Sequence, residues 1–595
     1  MQKERNILIQ IFKICWGNQK RYLLLLLSVL LLKSIMPFVT LLSLQKILNI
    51  AQEDMNNRNN TLFLVIIVYI LSIVFCSLFN DWFEYTQGIL KIFLNYDFHK
   101  LIIHKSMQLT LSDYEDSETY DKMQRAIQET QTPYQCIISI FNVLSNMISL
   151  FGNIIILFVW KWYIVLILMI LPIISALFTV LIGKYEYRIM RERVSDARKI
   201  SYYRTLISDV SSCKENKILN VEKNLFNKFN NLYQKFICKD KRILGYKVFN
   251  SILFNLLENI VGIVIILRVI ISVLYKKIFI GTAYTYINCV WNSIKNINTV
   301  IDSIANIYNK IRYVSNILEF LNIKKEDKDT IVEKIQIDSI QKIEFQNVSF
   351  RYKKELPYVL KRVNCIISNN EKIVIVGRNG SGKSTFIKLL CGLYEEYEGD
   401  IFINGISLRK IDRMSYQKKL GVVFQDFVKY EFMLKDSLLL GNNQNNDIVL
   451  EEKIKQIQQK GIMKFIEKLP QGLNTQLGSK FDKGIQLSGG EWQQVSFLRS
   501  IVKSAELYIF DEPSSALDVI TEENMYRTLR EYGYDCICIL VTHRLYIVND
   551  YATRAIVFQD GTVIEDDKIE KLLLRDSNYK SMLNKVKKID LKGDY

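Results

Sequence analysis

The sequence predicts a chain in two parts: a multi-pass α-helical membrane domain, then an α/β domain built around a phosphate-binding loop. Three observations predict it. Long apolar runs fill residues 22–300 and then stop. Beyond about residue 335 the pattern changes to short β-branched strands alternating with amphipathic helices. The segment GRNGSGKS, at 377–384, sits at one such strand-to-helix junction. Composition agrees. With 49% hydrophobic residues, 23% charged residues, 24 Gly and 6 Pro in 595 residues, disordered, collagen-like and low-complexity chains are excluded. A mean hydropathy of +0.08 is high for so charged a chain, so the average conceals one very apolar part and one ordinary part.

A membrane-spanning helix needs about 20 apolar residues. Six runs qualify, at residues 23–44, 61–83, 137–160, 162–183, 252–275 and 278–300, which sets a transmembrane domain at 1–320. The sixth is the weakest, because it carries Asn288, Asn292, Asn296 and Asn298. The first is too long for a secretory signal, and Leu44-Gln45-Lys46 offers no small-residue cleavage site. Long polar segments separate run two from three and run four from five. They hold much of the basic excess (78 Lys+Arg against 61 Asp+Glu, net +17), including Lys184, Arg188, Arg191, Arg193, Arg198, Lys199 and Arg204. By the positive-inside rule both segments and both termini face the cytoplasm. The charge is therefore topological: membrane lipid is an expected partner and nucleic acid is not. Each long segment reads as a helical hairpin with arms of roughly 40 Å at 1.5 Å per residue. The 10 cysteines form no CxxC and have 3 histidines to partner them, which argues against a zinc or disulfide scaffold and for a reducing interior.

Residues 321–335 are charged and read as a linker, 336–585 as the α/β domain and 586–595 as a C-terminal tail. GRNGSGKS fits GxxxxGK[ST] after the strand EKIVIVG and before a helix. Its residues Gly377, Arg378, Asn379, Gly380, Ser381, Gly382, Lys383 and Ser384, with Thr385 opening the helix, are expected to cradle the phosphates of ATP at a helix N-terminus. Lys383 reaches the β/γ oxygens and Ser384 gives a hydroxyl to Mg²⁺. LYIFDE, at 507–512, is an apolar strand ending in two carboxylates. Asp511 stands where a second metal-side ligand is needed, and Glu512 where the attacking water must be deprotonated.

LSGGE, at 487–491, resembles the signature of ATP-binding cassette (ABC) proteins, and the six-run layout with long hairpins is similar to the ABC exporters of the type IV fold. The resemblance implies further roles. Gln425 in VVFQD matches the Q-loop glutamine, which reaches the metal site. SALD at 515–518 matches the D-loop. His543 in VTHRL matches the switch histidine at the γ-phosphate, and Tyr352 in VSFRY the aromatic that stacks on adenine. Ser488, Gly489 and Gly490 imply contacts to nucleotide held by a second chain, since the family sandwiches ATP between one chain's P-loop and another's signature. Lys383, Gln425, Ser488, Asp511, Glu512 and His543 are all intact, which favours a homodimer of twelve spans. Coupling helices are expected near 112–119 and 211–219.

Three positions depart from the family. Glu491 stands where Gln is usual and Gln494 where Arg is common. TQLGSKFDKG at 475–484 replaces a shorter TEVGERG-like segment, so its coupling contacts are expected to differ. QDFVKYE (425–431), LSDYE (111–115) and GLNTQLGSKFDKGIQLSGGEWQ look like the lantibiotic transporters of the nisin and subtilin type. That resemblance implies ATP-driven export of a modified precursor peptide through the plasma membrane, with the peptide and its modifying enzymes as partners. An exporter of lipid, drug or another small amphiphile is the alternative. An ATP-gated channel or sensor is a third reading, which the intact Glu512 opposes.

Polar stripes recur at helical spacing in three runs: Asn142, Asn146, Ser149 and Asn153; Asn255, Glu258, Asn259 and Gly262; Asn288, Asn292, Lys295 and Thr299. They read either as a polar pathway for a peptide or as interhelical hydrogen bonding. Glu258, Arg268 and Lys33 are each expected to meet another helix or snorkel, and His99 and His104 to lie on a solvated arm. Cys15 precedes the first run, and no histidine occurs before His99 to complete a cysteine protease site. The cargo is therefore expected to leave with its leader attached.

Overall fold

The computed structural model describes residues 2–52, 59–323, 334–440, 447–532, 535–544 and 551–590. Most of the expected linker, and residues 591–595 of the tail, lie outside the described residues. The chain divides into two compact units. One comprises Met1–Leu109 and Ser117–Lys324, the other Thr110–Asp116 and Lys325–Tyr595.

The first unit is all helical, as a chain in lipid must be when every backbone group needs an internal partner. Its helices are α1 (Gln2–Gln52), α2 (Asn59–Met107), α4 (Ser117–Gln128), α5 (Thr132–Trp160), α6 (Trp162–Glu192), α7 (Val194–Ser208), α8 (Val210–Leu219), α9 (Glu222–Leu274) and α10 (Ile280–Leu321), with α3 (Leu111–Glu115) grouped in the second unit. Among the described residues five helices, α1, α2, α5, α6 and α9, are long and apolar enough to cross a membrane. The sixth long helix, α10, has 42 residues but carries the asparagines noted above. Spans and hairpin arms are continuous: α2 runs on to Met107, and α9 begins at Glu222, well before the apolar stretch. α1 bends at Gln19 (φ −127°, ψ 35°), where the side chain donates to Asp97 of α2 at 2.7 Å.

Leu26 and Val29 of α1, Leu90 and Phe98 of α2, Ile137 and Phe141 of α5, and Val314 and Ile317 of α10 form one buried core. Leu157, Leu168, Ile265 and Val290 centre a second, joining α5, α6, α9 and α10. Leu64, Ile70, Leu177 and Ile263 stay exposed along the spans, as faces turned to lipid do.

Among the described residues the second unit has two sheets. An antiparallel sheet of order β2-β1-β4-β5 uses β1 (Lys342–Phe350), β2 (Leu360–Ser368), β4 (Glu398–Ile403) and β5 (Ile406–Ser407). A six-stranded sheet of order β10-β9-β3-β8-β7-β6 uses β3 (Lys372–Gly377), β6 (Leu420–Val423), β7 (Leu507–Asp511), β8 (Ile537–Val541), β9 (Arg554–Gln559) and β10 (Thr562–Lys568). β9, β3, β8, β7 and β6 are parallel. Their apolar runs are buried, β7 and β8 along their whole length, as strands covered by helices on both faces require. The helices that matter for the site are α11 (Lys383–Leu390), α12 (Arg413–Lys418), α13 (Leu434–Leu439), α14 (Asp447–Gln459), α15 (Gly489–Val502) and α16 (Val519–Tyr532).

Candidate functional site at the carboxyl edge of the parallel sheet

Four adjacent strands, β3, β8, β7 and β6, deliver the chemistry from their carboxyl ends, where ligands bind in open α/β sheets. β3 ends in the phosphate loop. Gly377 has φ +153°, and a Cβ there would lie 2.4 Å from the Phe558 carbonyl oxygen. Gly382 has φ +102°, and a Cβ would lie 2.7 Å from Leu360. Both close approaches need glycine, and they turn the loop so that α11 starts at Lys383. Lys383 is 6% exposed, and its Nζ donates to the carbonyls of Gly377 at 2.8 Å and Arg378 at 3.0 Å. Burial lowers its pKa, with the charges of Glu512 and Asp511 pulling the other way.

Asp511 ends β7 and is 5% exposed. Burial raises its pKa; a hydrogen bond with the Ser384 side chain opposes this, the Glu512 charge adds to it, and the Lys383 charge opposes it. Glu512 follows with φ +49°, a backbone conformation that L residues avoid. Two contacts hold it there. Its N–H donates to the Val541 carbonyl of β8 at 2.9 Å, and its carbonyl accepts from Gln493 Nε2 of α15 at 3.2 Å. The carboxylate so aimed accepts from Gln425 Nε2 at 2.9 Å and lies 3.2 Å from His543 Nε2. Gln425 follows β6 and His543 follows β8. Tyr352 bonds Thr385 Oγ1 through its hydroxyl at 2.9 Å, beside the loop. Lys383, Ser384, Asp511, Glu512, Gln425 and His543 thus converge, and Tyr352 joins the loop from the antiparallel sheet.

The signature stands apart from this cluster. Ser488 caps α15, exposed with Gly489, and among the described residues no hydrogen bond joins it to the phosphate loop of its own chain. Glu491 completes a capping box: its N–H donates to Ser488 Oγ at 3.2 Å and its carboxylate accepts from the Ser488 N–H at 2.7 Å. Glu and Gln both close such a box, so the departure at 491 leaves the cap intact. Gln494 accepts from the Met463 N–H at 2.7 Å, holding Met463 at φ +62°.

The unusual 475–484 segment folds back on Glu431. The Glu431 carboxylate accepts from the Lys480 N–H at 3.1 Å, its carbonyl accepts from Gln476 Nε2 at 2.8 Å, and Gly478 at φ +88° makes room for its side chain. The short α3, capped by Thr110 and Asp113, lies within the same unit. Its Glu115 accepts from the Tyr394 hydroxyl at 2.7 Å and pairs with Lys388 of α11 at 3.5 Å, while Tyr394 meets the Tyr352 ring edge-on at 5.7 Å.

Sequence reasoning missed Gln493. Besides holding Glu512 it bonds Ser515 Oγ at 3.3 Å and accepts from the Ala516 N–H at 2.9 Å. Its spacing of five residues from Ser488, on the buried face of α15, was the available signal.

A phosphate loop, a buried strand-end aspartate, a polarised glutamate and a capped LSGGE helix on this sheet define an ABC-type ATPase joined to membrane helices. The family model described as ABC transporter matches residues 360–515. The chain is 33% identical over 576 residues to the subtilin transport ATP-binding protein SpaT of Bacillus subtilis, covering 96% of this chain and 92% of that one. It is 30% identical over 574 residues to the nisin transport ATP-binding protein NisT of Lactococcus lactis subsp. lactis, covering 95% and 94%. The chain belongs to the ABC transporters: a multi-pass membrane protein that couples ATP hydrolysis to transport. A bacterial Atm1-family ABC exporter with ATP bound shares the fold, with a TM-score of 0.80 at 19% identity over 95% of this chain and 98% of that one.

Proposed function

We propose that this chain is one half of an exporter whose other half is a second copy, and that its cargo is a peptide, a lanthipeptide precursor that leaves with its leader attached. Both termini and the ATPase unit face the cytoplasm, on the basic excess of the long segments. What supports the cargo is the likeness, over nearly the whole chain, to two proteins named for transport of subtilin and nisin.

Tyr352 stacks on adenine, and the loop 377–385 holds the phosphates. Glu512 takes a proton from a water whose oxygen attacks the γ-phosphorus; the bond to the β–γ bridging oxygen breaks, and ADP leaves with that electron pair. Lys383 neutralises charge on the β/γ oxygens, and His543, 3.2 Å from Glu512, steadies the γ-phosphate. Ser384, Gln425 and Asp511 are hard oxygen donors that fit Mg²⁺, which when bound neutralises the phosphates. Ser488, Gly489 and Gly490 of the second copy close the site.

The test uses the full chain with its peptide. Glu512→Gln should keep ATP binding, lose about 10²-fold or more in turnover and accumulate an ATP-bound dimer. Cells that express the wild-type chain and precursor, and lack other leader proteases, should release full-length precursor by mass spectrometry. Leader-free peptide in the medium, with cleavage lost on Cys15→Ala, would overturn the leader claim. Release that does not depend on the chain would overturn the cargo claim.

A further inference from the structure

The ATPase unit contains a second buried carboxylate, and the site described above does not use it. Glu522 of α16 is 0% exposed, whereas Glu523 and Glu531 on the same helix face water. Each of its oxygens has a partner, and the two partners come from different catalytic loops. Oε1 accepts from Ser514 Oγ at 2.6 Å, two residues after Glu512 and just before the SALD loop. Oε2 pairs with the guanidinium of Arg544, the residue after His543.

One turn along α16, Tyr526 repeats the pattern. Its hydroxyl lies 3.3 Å from Ser514 Oγ and is hydrogen-bonded to the side chain of Thr542, the residue before His543. Ser514, Tyr526 and Thr542 are all at most 4% exposed. Both neighbours of the switch histidine and the foot of the SALD loop are therefore tied to one helical turn. Gln493 holds the same loop from the other side.

A buried ion pair adds little net stability over apolar residues of the same volume, so stability alone does not call for this arrangement. Geometry does: His543 must reach Glu512, and the SALD loop leaves the same strand end. We infer that Glu522 is a positioning residue for ATP hydrolysis, fixing the SALD loop and His543 relative to one another through Ser514 and Arg544. This rests on the reading of Glu512 and His543 given above.

The experiment compares wild type, Glu522→Gln, and the volume-conserving double variant Glu522→Leu with Arg544→Met, each as the full chain in detergent. Turnover, binding of a fluorescent ATP analogue and melting temperature are measured. Misplacement of a catalytic group by about 1 Å costs up to about 10²-fold. Glu522→Gln should therefore lose about tenfold or more in kcat, with nucleotide affinity unchanged. The double variant should recover the melting temperature without recovering kcat. Wild-type kcat per folded molecule in Glu522→Gln, or kcat restored together with stability in the double variant, overturns the inference. Wild-type turnover of His543→Ala would instead refute the site reading, leaving Glu522 nothing at that edge to position.

Discussion

The sheet edge and the membrane helices place their buried polar groups differently. At the sheet edge, Asp511 and Glu512 stand side by side, and the Lys383 ammonium is spent on backbone carbonyls of its own loop. Desolvation works against both Asp511 and Lys383, a cost that the proposed Mg²⁺ and nucleotide would together relieve. Among the membrane helices many polar groups pair with one another, although the buried Glu258 Oε1 and Ser293 Oγ have no hydrogen-bond partner among the described residues. Asn298 of α10 donates to Glu258 of α9 at 2.7 Å, and Ser34 of α1 meets Ser145 of α5 at 3.0 Å. Thr285 of α10 donates to Gln45 of α1 at 3.1 Å. Lys33 lies 4.3 Å over the Phe83 ring, and Arg268 5.8 Å over Tyr163. Asn146 and Asn288 bond carbonyls of their own helices. Much of the polar striping is glue between or along helices, while Asn255, Asn259, Asn292 and Lys295 remain exposed. The contrast separates an edge proposed to meet a nucleotide from helices that spend much of their polarity on one another.

Three measurements sharpen that contrast. The largest effect is expected at Lys383. Lys383→Ala removes the cation proposed to meet the β/γ oxygens, and ATPase turnover should fall about 10²–10³-fold; residual turnover above about a tenth of wild type would show that the phosphate site lies elsewhere. Asp511→Asn should also stop turnover, yet the nucleotide-free protein should melt higher, by about 2–4 °C, because the amide keeps the shape without a desolvated charge. A lower melting temperature by calorimetry would mean that Ser384 and Lys383 already compensate Asp511 in the free protein. The smallest effect is expected at Asn298. Asn298→Ala should cost about 0.6–1.7 kcal/mol in detergent unfolding and leave ATP turnover per folded molecule unchanged. Loss of turnover without loss of stability would move this pair from glue to coupling.

What the sequence determined by itself is what depends on neighbours in the chain. The phosphate loop, the carboxylates ending β7 and the capped LSGGE helix are local patterns whose backbone and side chains act within one turn or one strand end. Long apolar helices were legible for the same reason, since hydropathy over about 20 residues is a local sum. The sixth was the hardest to place because its asparagines break that sum, although the helix itself is 42 residues long. The 475–484 segment showed itself as a departure, but its partner, Glu431, lies 45 residues from Gln476 in the chain.

Tertiary structure alone decided which groups meet across the fold: Gln493 with Glu512 and the SALD loop, Glu522 with Arg544, Glu258 with Asn298, Glu115 with Tyr394. The last pair lies 279 residues apart in the chain. No periodicity carries such a pairing, because it depends on helix rotation and sheet register, which packing sets over the whole unit. Glu522 makes the point at one residue. Its sequence looks like any acid in the first turn of an amphipathic helix, and only its burial between two loops distinguishes it from its exposed neighbour Glu523.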